Sequence, residues 1–234
     1  MVIICNGAFK SGSTWLYQIV RKLVDGIEKV PESFQNERWG NEISSVAPDK
    51  VEAFLAEYAD SQTTYLTKNH LARRSFVPLV TQTHVKTVKL FNIRRDVRDV
   101  VVSAYFHHER RNPTGRNFEE FYEAMGQEIA RRVDVYHRKW DVESPNIFAT
   151  SYEEMLHDPV EVVTRIAKFL GLELERERIE EVCEETSFGK WKAKTGSDHL
   201  RKGIIGDWKN YLSAEDVEKL RETAGPHCFS ALAD

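Results

Sequence analysis

The chain has 234 residues, a formal net charge of −4 at neutral pH, 41% hydrophobic residues and 30% charged residues. That length is enough for one domain with a full core, and the composition is that of an ordinary soluble globular protein. The acid excess argues against a general nucleic-acid-binding surface, which needs a basic face, while leaving room for a locally basic pocket.

Cys5, Cys183 and Cys228 are far apart, odd in number and without CxxC spacing. Neither a disulfide framework nor a zinc site is expected, and no carboxylate cluster or histidine pair has metal-ligand spacing. A reducing compartment fits this cysteine usage. No apolar run reaches the roughly 18 residues a membrane span needs. Residues 1–5 are apolar but break at Asn6-Gly7 without a basic leader, which reads as a first strand and not a signal peptide. The expectation is a cytoplasmic protein that acts away from nucleic acid and membrane.

Val2, Ile3, Ile4 and Cys5 form a β-rich run, read as a buried strand. Residues 7–14 are a glycine- and serine-rich turn. Apolar residues at 15, 16, 19, 20, 23 and 24 then follow helical spacing. A short helix is expected over 51–58, and strands over 63–67 and 87–93. Helices are expected over 97–108 and, as one long run, 118–140, with a strand over 146–150. The helix over 159–170 has Pro159 in its first turn and stops at Gly171. Two more helices are expected over 176–185 and 214–223. There is no internal repeat and no low-complexity linker, so a single domain over 1–234 is expected. Strands alternating with helices imply an α/β fold, a central parallel sheet flanked by helices, with its site at the carboxyl ends of the strands.

The loop from Gly7 to Thr14 joins a strand to a helix N-terminus, where successive backbone N–H groups and the helix dipole form an anion cradle. Gly7, Gly12 and Thr14 match the nucleoside-triphosphate loop G-x-x-x-x-G-K-[ST]. Its lysine is missing: Ser13 stands there, and the cation has moved into the loop at Lys10. A triphosphate with magnesium needs that lysine on its outer phosphates, so a different phosphate leaving group is implied.

The segment Lys10-Ser11-Gly12-Ser13-Thr14-Trp15 resembles the phosphosulfate loop of the cytosolic sulfotransferases, P-K-S-G-T-T-W, with Phe9 in place of the proline. Arg95 at the end of the 87–93 strand and Ser103 in the next helix resemble that family's 3′-phosphate motif. Arginine forks onto phosphate oxygens and serine adds a hydroxyl donor. Arg94, Arg95 and Arg98 read equally as a solvated cluster, but arginine is unfavourable at a helix N-terminus unless an anion sits there. Arg201-Lys202-Gly203-Ile204-Ile205-Gly206-Asp207-Trp208-Lys209-Asn210 matches the family's R-K-G-x-x-G-D-W-K-N signature at every specified position. Tyr152, in Ser-Tyr-Glu-Glu-Met, and Thr186 with Phe188, in Thr-Ser-Phe, resemble its adenine contacts. The likeness runs from residue 3 to about residue 210.

The resemblance implies a sulfotransferase. Such an enzyme takes a sulfuryl group from 3′-phosphoadenosine 5′-phosphosulfate (PAPS), leaves the 3′,5′-bisphosphate (PAP), and uses a hydroxyl or amine of a small acceptor. Lys68-Asn69-His70-Leu71 resembles K-T-H-L-P, whose histidine is the general base, with Asn69 and Ala72 as departures. On this reading His70 is the base, Lys10 neutralises the departing phosphate and Lys68 supports the sulfuryl oxygens. His107 and His108 are the fallback bases. Phe34, Trp39, Phe76, Tyr105 and Phe106 are candidates for an apolar acceptor pocket or for ordinary core. The family's dimer motif falls on residues 209–218, but Ser213-Ala214 replaces Thr-Val, so a monomer or weak homodimer is expected. A P-loop kinase of a nucleotide or small metabolite is the alternative, and a non-catalytic nucleotide-binding module a third.

Overall fold

The alternating strand-and-helix pattern does build one parallel sheet. The computed structural model describes residues 1–36, 43–195 and 202–234. Strands β1 (Val2–Gly7), β2 (Ile27–Glu28), β3 (Thr64–Asn69), β4 (Val88–Arg94) and β5 (Ile147–Ser151) pair in the order β2-β3-β1-β4-β5. Every pairing is parallel. All of β1 is buried, as expected for the middle of a sheet covered on both faces. Its alternation sends Val2 and Ile4 into one core and Ile3 and Cys5 into the other.

Helices α1 (Ser13–Leu23), α6 (Pro159–Leu170) and α7 (Arg176–Thr186) cover the face with Ile3 and Cys5. Helices α2 (Val51–Tyr58), α3 (Val97–Arg111), α4 (Gln127–Lys139) and α9 (Ala214–Thr223) cover the other. Short helices α5 (Tyr152–His157) and α8 (Phe188–Thr195) complete the set used below.

The differences from expectation are local. The run expected as one helix over 118–140 contains a π turn at Tyr122–Gly126 before α4. Strand β3 runs two residues further than propensity suggests, because Cys5 and Asn6 of β1 pair with Lys68 and Asn69 and override their weak strand preference. The edge strand β2 and helices α5 and α8 carry too little periodicity to be read in advance. No helix among the described residues is long and apolar enough to cross a membrane.

The strand ends are fixed by buried polar contacts. Asn6 accepts the Leu71 N–H at 2.8 Å, and the Trp140 indole donates to the Leu71 carbonyl at 2.7 Å, holding the chain that follows β3. After β4, Asp96 caps α3 by accepting the Arg98 N–H at 2.9 Å. The same carboxylate takes the Arg98 guanidinium at 2.9 and 2.7 Å and the Ser230 N–H at 2.8 Å. Arg98 also reaches Asp234 at 2.6 Å and lies 4.1 Å from the Trp208 ring centre. Arg98 and Asp96 are both buried. Removing one leaves an uncompensated buried charge, so Arg98→Ala is expected to lower unfolding stability by about 3–5 kcal/mol, read from the urea midpoint. A midpoint unchanged from wild type would show that the pair is not desolvated.

Candidate active site

Parallel register brings the strand ends together. Asn6 sits beside Asn69, Gly7 beside Ile93, and Arg94 beside Ser151. The residues immediately beyond those ends, Lys10, His70, Arg95 and Tyr152, therefore surround one cavity of about 380 Å³.

The β1–α1 loop is built as an anion cradle. Ser11 turns it by donating both its N–H (3.2 Å) and its hydroxyl (2.7 Å) to the Ala8 carbonyl. Lys10 adopts φ 64°, a left-handed conformation costing roughly 1–2 kcal/mol for a residue with a Cβ. Gly12 stands at the helix cap with φ 94°, and a Cβ there would come 2.7 Å from the Tyr152 ring. Being glycine, it offers no side-chain cap, so the first N–H groups of α1 face the cavity mouth without an intrahelical acceptor.

His70 is held in one tautomer. Its Nδ1 lies 2.6 Å from the Gly7 carbonyl, which can only accept, so Nδ1 carries the proton in the neutral ring. Nε2 is then the basic nitrogen, 3.3 Å from the Lys68 ammonium. Burial, followed by Lys68, lowers the His70 pKa to about 4. Burial and then Lys10 lower the Lys68 pKa to about 7. His107 also lines the cavity, but its Nδ1 accepts from Arg110 at 3.0 Å. His108 bonds Glu109 at 3.2 Å and does not line the cavity. Of the three histidines weighed as bases, only His70 combines a lining position with a pinned Nδ1–H.

The arginine cluster separates into three roles. Arg94 pairs with Asp141 at 2.9 Å, and Arg98 belongs to the buried network. Arg95 alone lines the cavity. Its guanidinium donates to the Lys10 carbonyl (3.3 Å) and the Ile204 carbonyl (3.5 Å), lies 4.0 Å from the Tyr152 ring centre, and stands 3.8 Å from Asp99. Asp99 in turn accepts the Gly206 and Trp208 N–H groups at 2.9 and 3.0 Å, fixing the loop that carries Lys202 and Gly203. Gly203, at φ 68°, packs so tightly on Phe188 that a Cβ would meet the ring at 2.3 Å.

Lys10, Gly12, Ser13, Thr14, Trp15, Lys68, His70, Arg95, Ser103, Tyr152, Phe188, Lys202 and Gly203 all line this cavity. Two expected residues do not. The Ser11 side chain is consumed by its own turn. Thr186 is buried in α7 and donates to the Val182 carbonyl at 2.7 Å, because a helical threonine turns its hydroxyl back onto the preceding turn. Arg201 and Trp39 lie outside the described residues. Of the acceptor-pocket candidates, Phe34 packs on Phe54 and Tyr58, Phe76 is core, and Tyr105 and Phe106 join an aromatic cluster with Phe118, Phe121 and Tyr211. None of these four lines the cavity; Phe9, His107, Arg111, Leu156, Trp191 and Ile204 do. His107 and Arg111 were legible as the helical continuation of Ser103 at four-residue spacing. Asp134, His227 and Cys228 bring ligand-type atoms within 4.8 Å of one another, a grouping invisible to sequence spacing. It lies off the cavity lining, with Asp134 engaged by Arg138 and the Gly225 N–H.

Comparison with known proteins gives the family and the fold. A rabbit (Oryctolagus cuniculus) sulfotransferase 1C2 is 26% identical over 94% of this chain and 80% of its own length. Cytosolic sulfotransferase 6 of Arabidopsis thaliana is 29% identical, over 90% of this chain and 73% of its own. The crystal structure of mouse sulfotransferase SULT7A1 complexed with PAP superposes with a TM-score of 0.72 at 21% identity, covering 95% of this chain and 82% of that one. Retinol dehydratase, in complex with androsterone and inactive cofactor PAP, gives 0.66 at 21%, covering 94% and 78%. Both structures share the fold. The family model for the sulfotransferase domain matches residues 2–228, so the strand–loop–helix and the cavity it opens belong to a member of the sulfotransferase family.

Proposed function

We propose that this sulfotransferase uses PAPS as donor and a hydroxyl or amine of a small molecule as acceptor, with His70 as the general base. The observation that carries the reading is the Gly7 carbonyl held 2.6 Å from His70 Nδ1, which leaves the Nε2 lone pair as the ring's proton acceptor beside Lys68.

The residues fit such a nucleotide. Lys10, Lys68, Arg95 and Lys202 line the cavity, and no aspartate or glutamate does among the described residues. Buried nitrogens of Trp15 (Nε1) and Arg95 (Nε) have no hydrogen-bond partner among the described residues, as expected of a site built around a polar ligand. The nucleotide, once bound, supplies an activated sulfuryl group whose bond to the 5′-phosphate oxygen breaks as the acceptor attacks sulfur.

The chain's own groups cover the remaining tasks. The α1 N-terminus and Lys10 hold the 5′ end and balance charge on the departing phosphate. Arg95 and Ser103, together with the Lys202-Gly203 loop, hold the 3′-phosphate; Tyr152, Trp15 and Phe188 supply ring faces for the base. Lys68 steadies the sulfuryl oxygens. His70 Nε2 takes the acceptor proton. Burial, and after it the Lys68 cation, hold the free imidazole neutral at pH 7, and the negative charge of a bound nucleotide restores basicity to it.

His70→Ala is expected to lower kcat by about 10²–10⁴-fold with an acceptor drawn from a labelled-PAPS screen, while calorimetry shows PAP binding retained. Near-normal turnover in that variant would remove His70 from the role. Lys68 gives a pH test. Its pKa in the free protein is lowered to about 7, and an anionic ligand favours its charged form. Lys68's contribution to PAPS affinity, measured without acceptor, is therefore full below pH 7 and is lost as pH rises from about 7 toward 9. Lys68→Arg, charged throughout, flattens that fall; a flat wild-type profile from pH 7 to 9 would place Lys68 away from the sulfuryl group.

A further inference from the structure

We infer that the acceptor is an amphipathic molecule, an apolar body carrying an oxyanion such as a carboxylate, and that Arg111 is the residue that selects it. The inference rests on the PAPS reading above and deepens it.

Helix α3 acts as a ruler along the cavity wall. Ser103, His107 and Arg111 recur at four-residue spacing on one face, and all three line the cavity. At a rise of about 1.5 Å per residue, Arg111 stands ~12 Å along the axis from Ser103. Arg111 is therefore the end of the row farthest from a 3′-phosphate held at Ser103. His107 lies between them: after burial, its lowered pKa is caused first by Lys10 and then by Arg110 and Arg111. The order along α3 is the 3′-phosphate at Ser103, the phosphosulfate end marked by Lys10 near His107, then Arg111. What lies past the phosphosulfate, on the side away from the ribose phosphate, is the acceptor.

The other lining cations already have roles toward the nucleotide, Lys10 and Lys68 at the phosphosulfate and Arg95 and Lys202 at the 3′-phosphate, and three of them are also held by the protein. Arg95 is tied to two carbonyls, Lys202 pairs with Asp207 at 2.8 Å, and Lys68 meets His70. Next along the chain, Arg110 bonds His107. Arg111 makes no hydrogen bond or ion pair with any described residue and is exposed. Its place in the last turn of α3 suits the helix dipole, which explains a positive charge there but not its projection onto the cavity wall.

A second observation gives the acceptor's body. Phe9 and Ile204 are large apolar side chains left 44% and 43% exposed, and both line this same cavity. Phe9 stands edge-on to His107, with ring centres 5.1 Å apart. An apolar rim beside a guanidinium, with no carboxylate among the described lining residues, suits a hydroxylated acid better than a neutral phenol or a cationic amine.

The test is calorimetric, on the full chain loaded with PAP, with para-hydroxyphenylpropanoate and its neutral amide as matched probes. The acid is expected to bind about tenfold more tightly than the amide, the size of one charged hydrogen bond. Arg111→Gln should bring that ratio close to one, and Arg111→Lys should restore part of it. An acid-to-amide ratio near one in the wild type, a ratio that survives Arg111→Gln, or failure of both probes to bind the PAP-loaded chain each overturns the inference. PAP binding, measured first in the same chains, separates the two readings. Should PAP itself not bind, the nucleotide assignment fails and the acceptor inference falls with it.

Discussion

The site depends on one constraint, the parallel register of β1 between β3 and β4. Because Asn6 is level with Asn69 and Gly7 with Ile93, the chain leaves three neighbouring strands at the same height. The loop carrying Lys10, the segment carrying His70 and the start of α3 then meet without any long excursion. A slip of one residue in β3 would turn Lys68 and His70 to the opposite faces, since side chains alternate along a strand. Register is protected by burial on both faces and by the contact of Asn6 with the Leu71 N–H. The same alternation that fills the two cores therefore also aims the polar groups.

At that level the protein concentrates positive charge and gives up its usual compensation. Lys10 depresses Lys68 and both lysines depress His70, while burial outweighs these coulombic causes for both Lys68 and His70. The nearest carboxylate to Arg95, Asp99, spends its oxygens on the backbone N–H groups of Gly206 and Trp208. Such an arrangement is unfavourable in the empty protein and favourable once phosphates enter, so charge repulsion in the free state becomes binding energy for an anion.

Much of this was legible in the sequence, and the exceptions have physical reasons. The β1–α1 loop was readable because a glycine-rich turn between a buried strand and an amphipathic helix leaves few alternatives. Helical spacing from Ser103 carries the signal for both His107 and Arg111, of which only His107 was read as a site candidate. The residues found away from the cavity lining are those whose side chains had two chemically equal options. Ser11 and Thr186 both carry hydroxyls suited to a ligand, and both turn them onto carbonyls of their own turns. Phe34 and Phe76 are apolar, and apolarity cannot say which side of a helix or loop they will face. Phe9 and Ile204 were passed over because an exposed aromatic or aliphatic residue in a loop leaves no periodic trace.

Lys10 carries a consequence for how far this scaffold can be hardened. Its left-handed backbone is a conformation that glycine adopts freely, so the residue best for the turn is not the residue best for the charge. Selection for thermal robustness alone would drift toward glycine at this position and disarm the loop. Robustness and competence pull this single position in opposite directions, and the lysine found there favours the charge over the turn.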